Sequence, residues 1–270
     1  MNTENSRLLT DLVEFSRKNM NREVVRECFS YLDVTTLDVK DTPAKVGAFT
    51  RDVLSKIKAY GLPEVATICV APIFIEDVGV ALGDSPVGIT SVAGGFPTGE
   101  TFLEVKVLEC AMAIENGADE IDVVIDIGGV LEGSDDLVRS ELMLIKEEIG
   151  DDALMKVIIE SGELGSEDNI RRAARIAIEA GADFVKTSTG KASVSATPEA
   201  VLAICAEIGR HYEETSRMVG IKVAGGVSSV EALIQYYTIV KETLGEQWLS
   251  PQYFRIGASS LFDKMIDYII

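Results

Sequence analysis

Histidine is almost absent from this chain: of 270 residues, one, His211, carries an imidazole. Zinc catalysis and Ser-His-Asp machinery both ordinarily need histidine in the pocket, so the shortage argues against either chemistry. His211 stands in an acid-rich helical run, Arg210-His-Tyr-Glu-Glu214, and reads as a solvated surface residue. Cysteine is scarce too. Cys28, Cys69, Cys110 and Cys205 are widely spaced, form no CxxC pair and read as small apolar packing residues, which fits a cytoplasmic location. Long apolar runs are missing. Nothing approaches the roughly 18 residues of a membrane span, so no membrane partner is expected. The start, Met1 to Asp11, has acids and no apolar stretch, unlike a signal peptide. Positive charge is also short: 25 Lys and Arg against 44 Asp and Glu leave a net charge of −19. That balance argues against a nucleic-acid partner. It also presents an anionic substrate with a repulsive far field, so a phosphate must be captured by local groups.

What is present is a repeating pattern in a chain with 47% hydrophobic and 26% charged residues, enough for a sizeable core. Strand-like runs lie at Tyr31–Thr36, Ala66–Val70, Val87–Val92, Ile121–Ile125, Met155–Ile159, Phe184–Thr187, Gly220–Ala224 and Phe254–Gly257. Helical patterns fall between them, at Pro43–Tyr60, Ile75–Leu82, Phe102–Asn116, Asp135–Ile149, Glu167–Ala180, Pro198–Tyr212 and Val230–Leu244, with a last helix from Leu261. Strands that alternate with helices imply right-handed crossovers and a parallel sheet. Eight such units in about 250 residues fit an α/β fold of (β/α)₈ TIM-barrel type. An open doubly wound sheet would need a glycine-rich loop after its first strand, and Asp33-Val-Thr-Thr-Leu-Asp38 offers none. No linker divides the chain, so residues 1–270 read as one domain. An extra N-terminal helix, about Thr3 to Asn19, and a short piece to Cys28 make residues 1–30 a helical extension packed on the barrel.

Two lysines stand in strands that should be covered on both faces: Lys186 in Ala182-Asp-Phe-Val-Lys-Thr-Ser-Thr-Gly-Lys191, and Lys222 in Val219-Gly-Ile-Lys-Val-Ala-Gly-Gly226. An internal echo supplies a partner. Ile114-Glu-Asn-Gly-Ala-Asp-Glu120 resembles Ile178-Glu-Ala-Gly-Ala-Asp-Phe184, and in each copy the third residue after the Asp is ionisable, Asp122 and Lys186. Inward side chains of alternate strands share a layer in such barrels, so these two are expected to face each other, with Lys222 on the next strand. A free lysine has a pKa of roughly 10.4, leaving about 0.04% neutral at pH 7. Desolvation and a second cation lower it, and a fall of about three units, worth roughly 4 kcal/mol, raises the neutral fraction about a thousandfold. One lysine could then attack a carbonyl to form a Schiff base, with Asp122 balancing the other cation and moving protons through a water. The alternative is a purely structural network in which the lysines pair with acids such as Asp122 and Glu160.

Two Gly/Ser segments, Ala224-Gly-Gly-Val-Ser-Ser229 and Gly257-Ala-Ser-Ser260, each run into a helix. Unobstructed backbone amides at a helix N-terminus bind phosphate, and the loops after strands seven and eight commonly do so in these barrels. Plain turn and cap chemistry is the competing explanation. Thr187-Ser-Thr-Gly-Lys191 adds hydroxyls and a cation, without the spacing of a Walker loop.

Taken together, Lys186-Thr-Ser-Thr-Gly-Lys191 with Ala196-Thr-Pro-Glu199, Lys222-Val-Ala-Gly-Gly-Val227, Ala118-Asp-Glu-Ile-Asp-Val-Val124, Lys156-Val-Ile-Ile-Glu160 and Gly257-Ala-Ser-Ser260 resemble the deoxyribose-phosphate aldolase family. Asp33 with Thr35-Thr36-Leu37, and Ile68-Cys69-Val70, extend the match, which covers Tyr31 to Ile266 in order. The resemblance implies a class I aldolase, without metal or other cofactor, that reversibly cleaves 2-deoxy-D-ribose 5-phosphate to D-glyceraldehyde 3-phosphate and acetaldehyde in deoxyribose catabolism. By the same resemblance, Lys186 is the Schiff-base lysine, Lys222 its tuning neighbour and Asp122 the proton relay. Asp33, Thr35, Cys69, Thr187 and Lys191 would contact substrate. Gly190, Gly225, Gly226, Gly257, Ser259 and Ser260 would hold phosphate. The chain departs from many relatives at Val223 and Ser228, where proline or arginine stands near the GGV turn, and Tyr268 is expected to belong to the last helix. A barrel of this size is expected to form a homodimer. Another Schiff-base aldolase, or a sugar-phosphate binding protein without catalysis, are the rival functions.

Overall fold

The computed structural model describes Leu12 and residues 14–270 of the chain. Eight parallel strands close into a barrel in which each pairs with its neighbours in sequence and the last pairs with the first. They are β1 (Leu32–Thr35), β2 (Thr67–Val70), β3 (Gly88–Ala93), β4 (Glu120–Val124), β5 (Leu154–Ile158), β6 (Phe184–Lys186), β7 (Gly220–Ala224) and β8 (Phe254–Ala258). All eight expected strands are present. β6 ends one residue early, at Lys186, because the Thr187 amide still bonds the Lys222 carbonyl but the chain then turns into a loop.

Helices run outside the barrel. At its start stands α1 (Arg22–Glu27), followed by α2 (Pro43–Tyr60), α3 (Ile75–Leu82), α4 (Leu103–Glu115), α5 (Ile127–Glu132), α6 (Asp135–Ile149), α7 (Glu167–Glu179), α8 (Pro198–Thr215), α9 (Val230–Leu244) and α10 (Leu261–Ile269). Their ends follow from cap chemistry. Thr42 accepts from the Lys45 amide, Pro43 occupies the first turn, and Gly61 stops α2 in the left-handed region at φ 57°. Thr197 and Pro198 start α8 in the same way. Helix α5 was not among the expected helices, and Gly128 and Gly129 weaken helix propensity there. Asp126 overrides that weakness by capping the Gly129 amide, and an alanine-sized side chain at 129 would sit 2.6 Å from the Asp126 carboxylate.

The expected N-terminal helix, Thr3 to Asn19, falls largely outside the described residues; residues 14–19 are helical. Beyond them the extension lies against the last helix. The Phe29 ring meets Phe262 edge-on at 5.6 Å, Val25 and Cys28 are fully buried, and Asn19 donates to Thr238 at 2.9 Å. Tyr31, just past the extension, packs on Phe254 at the first residue of β8, the end where the strands begin. At that same end Phe184 fills the interior, and Gly220 is required beside it: a Cβ there would lie 2.3 Å from the ring. The opposite end, where the strands finish, stays open.

Candidate active site

Above Phe184 the barrel interior is charged. Asp33, Glu120, Asp122, Lys156, Lys186, Lys222 and Arg255 project inward from six strands, and all are buried. Lys186 and Lys222 are register partners on β6 and β7. Their ammonium nitrogens donate to the same oxygen, Asp122 Oδ2, at 2.8 and 2.6 Å, so they can be no farther apart than those two distances laid end to end. Lys156 Nζ takes the other Asp122 oxygen at 2.9 Å and Glu120 at 2.5 Å. Lys222 also reaches Asp33 Oδ2 at 2.6 Å. Arg255 bridges Asp33 and Glu120, each at 2.7 Å, and its guanidinium lies over the Phe184 ring. Such groups stay in a core only when every charge has partners, and here each has at least one.

The two lysines are pushed in opposite directions. Burial, together with the Lys222 cation, holds the Lys186 amine below its ordinary pKa despite Asp122. Lys222 is just as buried, but Asp122 and Asp33 both face it, and they drive its pKa above the ordinary value. Burial opposes ionisation of Asp122, yet Lys156, Lys186 and Lys222 outweigh it and hold that carboxyl well below its usual range. Burial likewise works against Asp33 and Glu120, and their cations again prevail and lower both.

A cavity of about 660 Å³ opens over this cluster, with Lys186 and Lys222 at its floor. Thr35, Gly190, Lys191, Gly225, Gly226 and Gly257 are in its wall, as are Ser259 and Ser260. The 225–226 pair adopts φ 84° and 78°, a conformation that side chains rarely accept, and a Cβ at 225 would fall 2.5 Å from Ser195. A Cβ at 257 would lie 2.9 Å from Ala224 and 3.2 Å from the Lys222 side chain. The backbone therefore approaches the cavity closely at both turns. The two serines differ in use: Ser229 caps α9 by accepting from the Ala232 amide, whereas Ser260 makes no cap bond to α10 and faces the cavity. Simple cap chemistry thus accounts for Ser229 but not for Ser260.

Three expected contact residues sit elsewhere. Asp33 is fully buried in the ion cluster beneath Lys222, out of the cavity wall. Thr187 turns its hydroxyl to the Ala224 backbone, donating to its carbonyl and accepting from its amide at 3.0 Å each. Cys69 is buried beside the cluster, and that burial raises its thiol pKa. Glu160, read as a candidate partner of the lysines, bonds Thr189 instead. Tyr268 lies near the end of α10, well past the Ser260 end that meets the cavity. Lys156, Glu120 and Arg255 escaped the sequence reading as members of this cluster. Their signal was available: each is an ionisable residue in a largely apolar strand, at the alternate positions that point inward.

Comparison with known proteins assigns the chain to a family. The DeoC/LacD aldolase family profile matches residues 31–245. A Caenorhabditis elegans protein is 41% identical over 94% of this chain and 84% of its own length. Human deoxyribose-phosphate aldolase is 36% identical over 87% of this chain and 77% of its own length. A Toxoplasma gondii crystal structure superposes with a TM-score of 0.80 at 26% identity, covering 92% of this chain and 97% of that one. The chain belongs to the DeoC/LacD family of aldolases.

Proposed function

We propose that this protein is a class I aldolase that cleaves 2-deoxy-D-ribose 5-phosphate to D-glyceraldehyde 3-phosphate and acetaldehyde, with Lys186 as the covalent amine. The observation that carries the reading is the shared oxygen: two lysine nitrogens on one carboxylate oxygen, one pushed toward neutrality and the other locked as a cation.

Charge counting supports Lys186 as the neutral member. Asp33, Glu120 and Asp122 carry three negative charges, and Lys156, Lys222 and Arg255 carry three positive ones. A proton on Lys186 would add an unbalanced charge to a buried site, which is costly. Lys186 also borders the cavity, where Lys156 and Arg255 do not.

The amine adds to the aldehyde carbon of the open-chain sugar, and loss of water leaves a protonated imine. The C3 hydroxyl gives up its proton, the C2–C3 bond breaks, and its electron pair flows into the imine. Glyceraldehyde 3-phosphate departs and an enamine remains. A proton on the enamine carbon and addition of water then release acetaldehyde and restore the amine. Asp122, between the lysines, relays protons through a bound water. The glycine turns at 190, 225, 226 and 257 and the Ser259-Ser260 terminus of α10 receive the phosphate through backbone amides, with Thr35 and Lys191 along the sugar. Borohydride added with substrate tests this reading by fixing a two-carbon adduct on Lys186. Full turnover from a chain with Lys186 unmodified would refute it.

Residues 1–270 form one domain in this reading, and the protein works in the cytoplasm, where its four buried free cysteines stay reduced. It acts as a homodimer. Val105, Leu108 and Met112 form an exposed stripe on α4, 47%, 58% and 53% accessible, at the spacing of one helix face. An Aeropyrum pernix relative, 24% identical, has a tetrameric structure. Sedimentation velocity reads the assembly directly, and a monomer would refute the dimer.

A further inference from the structure

Glu160, just past the end of β5, holds a conformation that glutamate avoids. Its φ is 47°, in the left-handed region where glycine is the ordinary occupant, and it is 3% exposed. Strain of this kind persists only where the surroundings enforce it. What it secures is visible in the hydrogen bonds. Both carboxylate oxygens accept from the Thr189 amide at 3.3 Å, and one accepts from the Thr189 hydroxyl. That hydroxyl accepts in turn from the Lys191 amide at 3.0 Å. The Lys191 ammonium then donates to the Leu37 carbonyl at 2.6 Å, in the loop after β1. A chain of bonds therefore runs from β5 through the loop after β6 to the far rim. Thr189, Gly190 and Lys191 along it all line the cavity, as does Leu37.

We propose that Glu160 is a positioning residue whose carboxylate fixes the 189–191 loop against the cavity, so that it sets substrate affinity and leaves the chemical step to the lysines. The proposal rests on the aldolase reading above. Glu160 touches none of Lys186, Lys222 and Asp122 by hydrogen bond, whereas Thr189 and Lys191 stand between it and the site.

Three variants separate positioning from plain structural support. Glu160→Ala should raise KM for deoxyribose 5-phosphate at least tenfold while kcat stays within about threefold. Glu160→Gln keeps an acceptor oxygen toward Thr189 and should recover most of the loss. Glu160→Gly relieves the backbone, so a merely conformational role predicts an unchanged KM, and a positioning role predicts a KM as high as that of Glu160→Ala. Combining Glu160→Ala with Lys191→Met should add little to the larger single effect, because both act through one chain of bonds. An unchanged KM in Glu160→Gly, equal losses of kcat and kcat/KM, or fully additive effects would each overturn the proposal. If Glu160→Ala does not fold, Thr189→Val removes the same hydroxyl link and must show the same KM effect. Borohydride trapping of the parent chain at Lys186 is run alongside. Its failure overturns the aldolase reading and this proposal with it, whereas successful trapping with unaltered KM values overturns this proposal alone.

Discussion

Replacing Lys222 by leucine removes one of the two cations on Asp122 Oδ2 and tests the electrostatic core of the mechanism. In the intact protein, three carboxylates balance Lys156, Lys222 and Arg255, which leaves Lys186 free to lose its proton. Without Lys222, only Lys156 and Arg255 remain against three acids, and Lys186 becomes the third cation. The size of the change follows from distance. Two charges about 5 Å apart, at an effective dielectric constant of about 20, repel by roughly 3 kcal/mol. That corresponds to about two pKa units on Lys186, or roughly a hundredfold less neutral amine near pH 7. Expected, then, are a kcat/KM at least about a hundredfold lower at neutral pH and a basic shift of its rising limb by about two units. The assay is steady-state cleavage from pH 6 to 10, with single-turnover borohydride trapping at each pH to isolate imine formation. A variant whose profile overlays the parent's, while remaining folded by circular dichroism, would refute the reasoning.

Asp122→Asn should fold less stably by about 3–5 kcal/mol, because the buried Lys156 and Lys222 cations lose a shared counter-charge; urea unfolding checks it, and activity should fall to background. Gly225→Ala forces a side chain into a positive-φ position 2.5 Å from Ser195. It should cost about 1–3 kcal/mol in stability, and a raised KM for phosphorylated substrate with little change for unphosphorylated deoxyribose would mark the phosphate turn. Acid should unfold the protein through its ion cluster. Asp33, Glu120 and Asp122 all have carboxyl pKa values below the ordinary ones, so the unfolded chain binds their protons first. Their contribution is present above the ordinary carboxyl range and drains away as pH falls below about 4. Thermal melts from pH 6 to 2 should show the melting temperature dropping most steeply in that lower window. Replacing Glu120 and Arg255 together by glutamine and methionine should make the drop shallower.

The barrel was legible because its signals are local. Each strand is a short apolar run, each helix has a turn residue or cap at its end, and Thr42, Gly61 and Thr197 act within their own few residues. The two lysines and Asp122 were legible for a related reason: charge in a strand that must be covered stands out against its neighbours. Helix α5 was missed because one side chain, Asp126, reversed the weak propensity of two glycines. For Thr187 and Asp33, sequence shows a residue's type and register but not what its side chain is already bonded to. Thr187 turned to Ala224, and Asp33 sank beneath Lys222.

The alternation of strand and helix by itself determined the closed parallel barrel, since right-handed crossovers leave few ways to cover eight apolar strands. Charge inside covered strands also singled out the two amines. Only the tertiary structure decided how their surroundings differ. Lys186 and Lys222 look alike in the chain, but the second carboxylate beside Lys222 comes from β1, nearly two hundred residues away in sequence. Barrel closure sets that distance, and Coulomb energy in a buried site depends on it steeply enough to push the two amines in opposite directions.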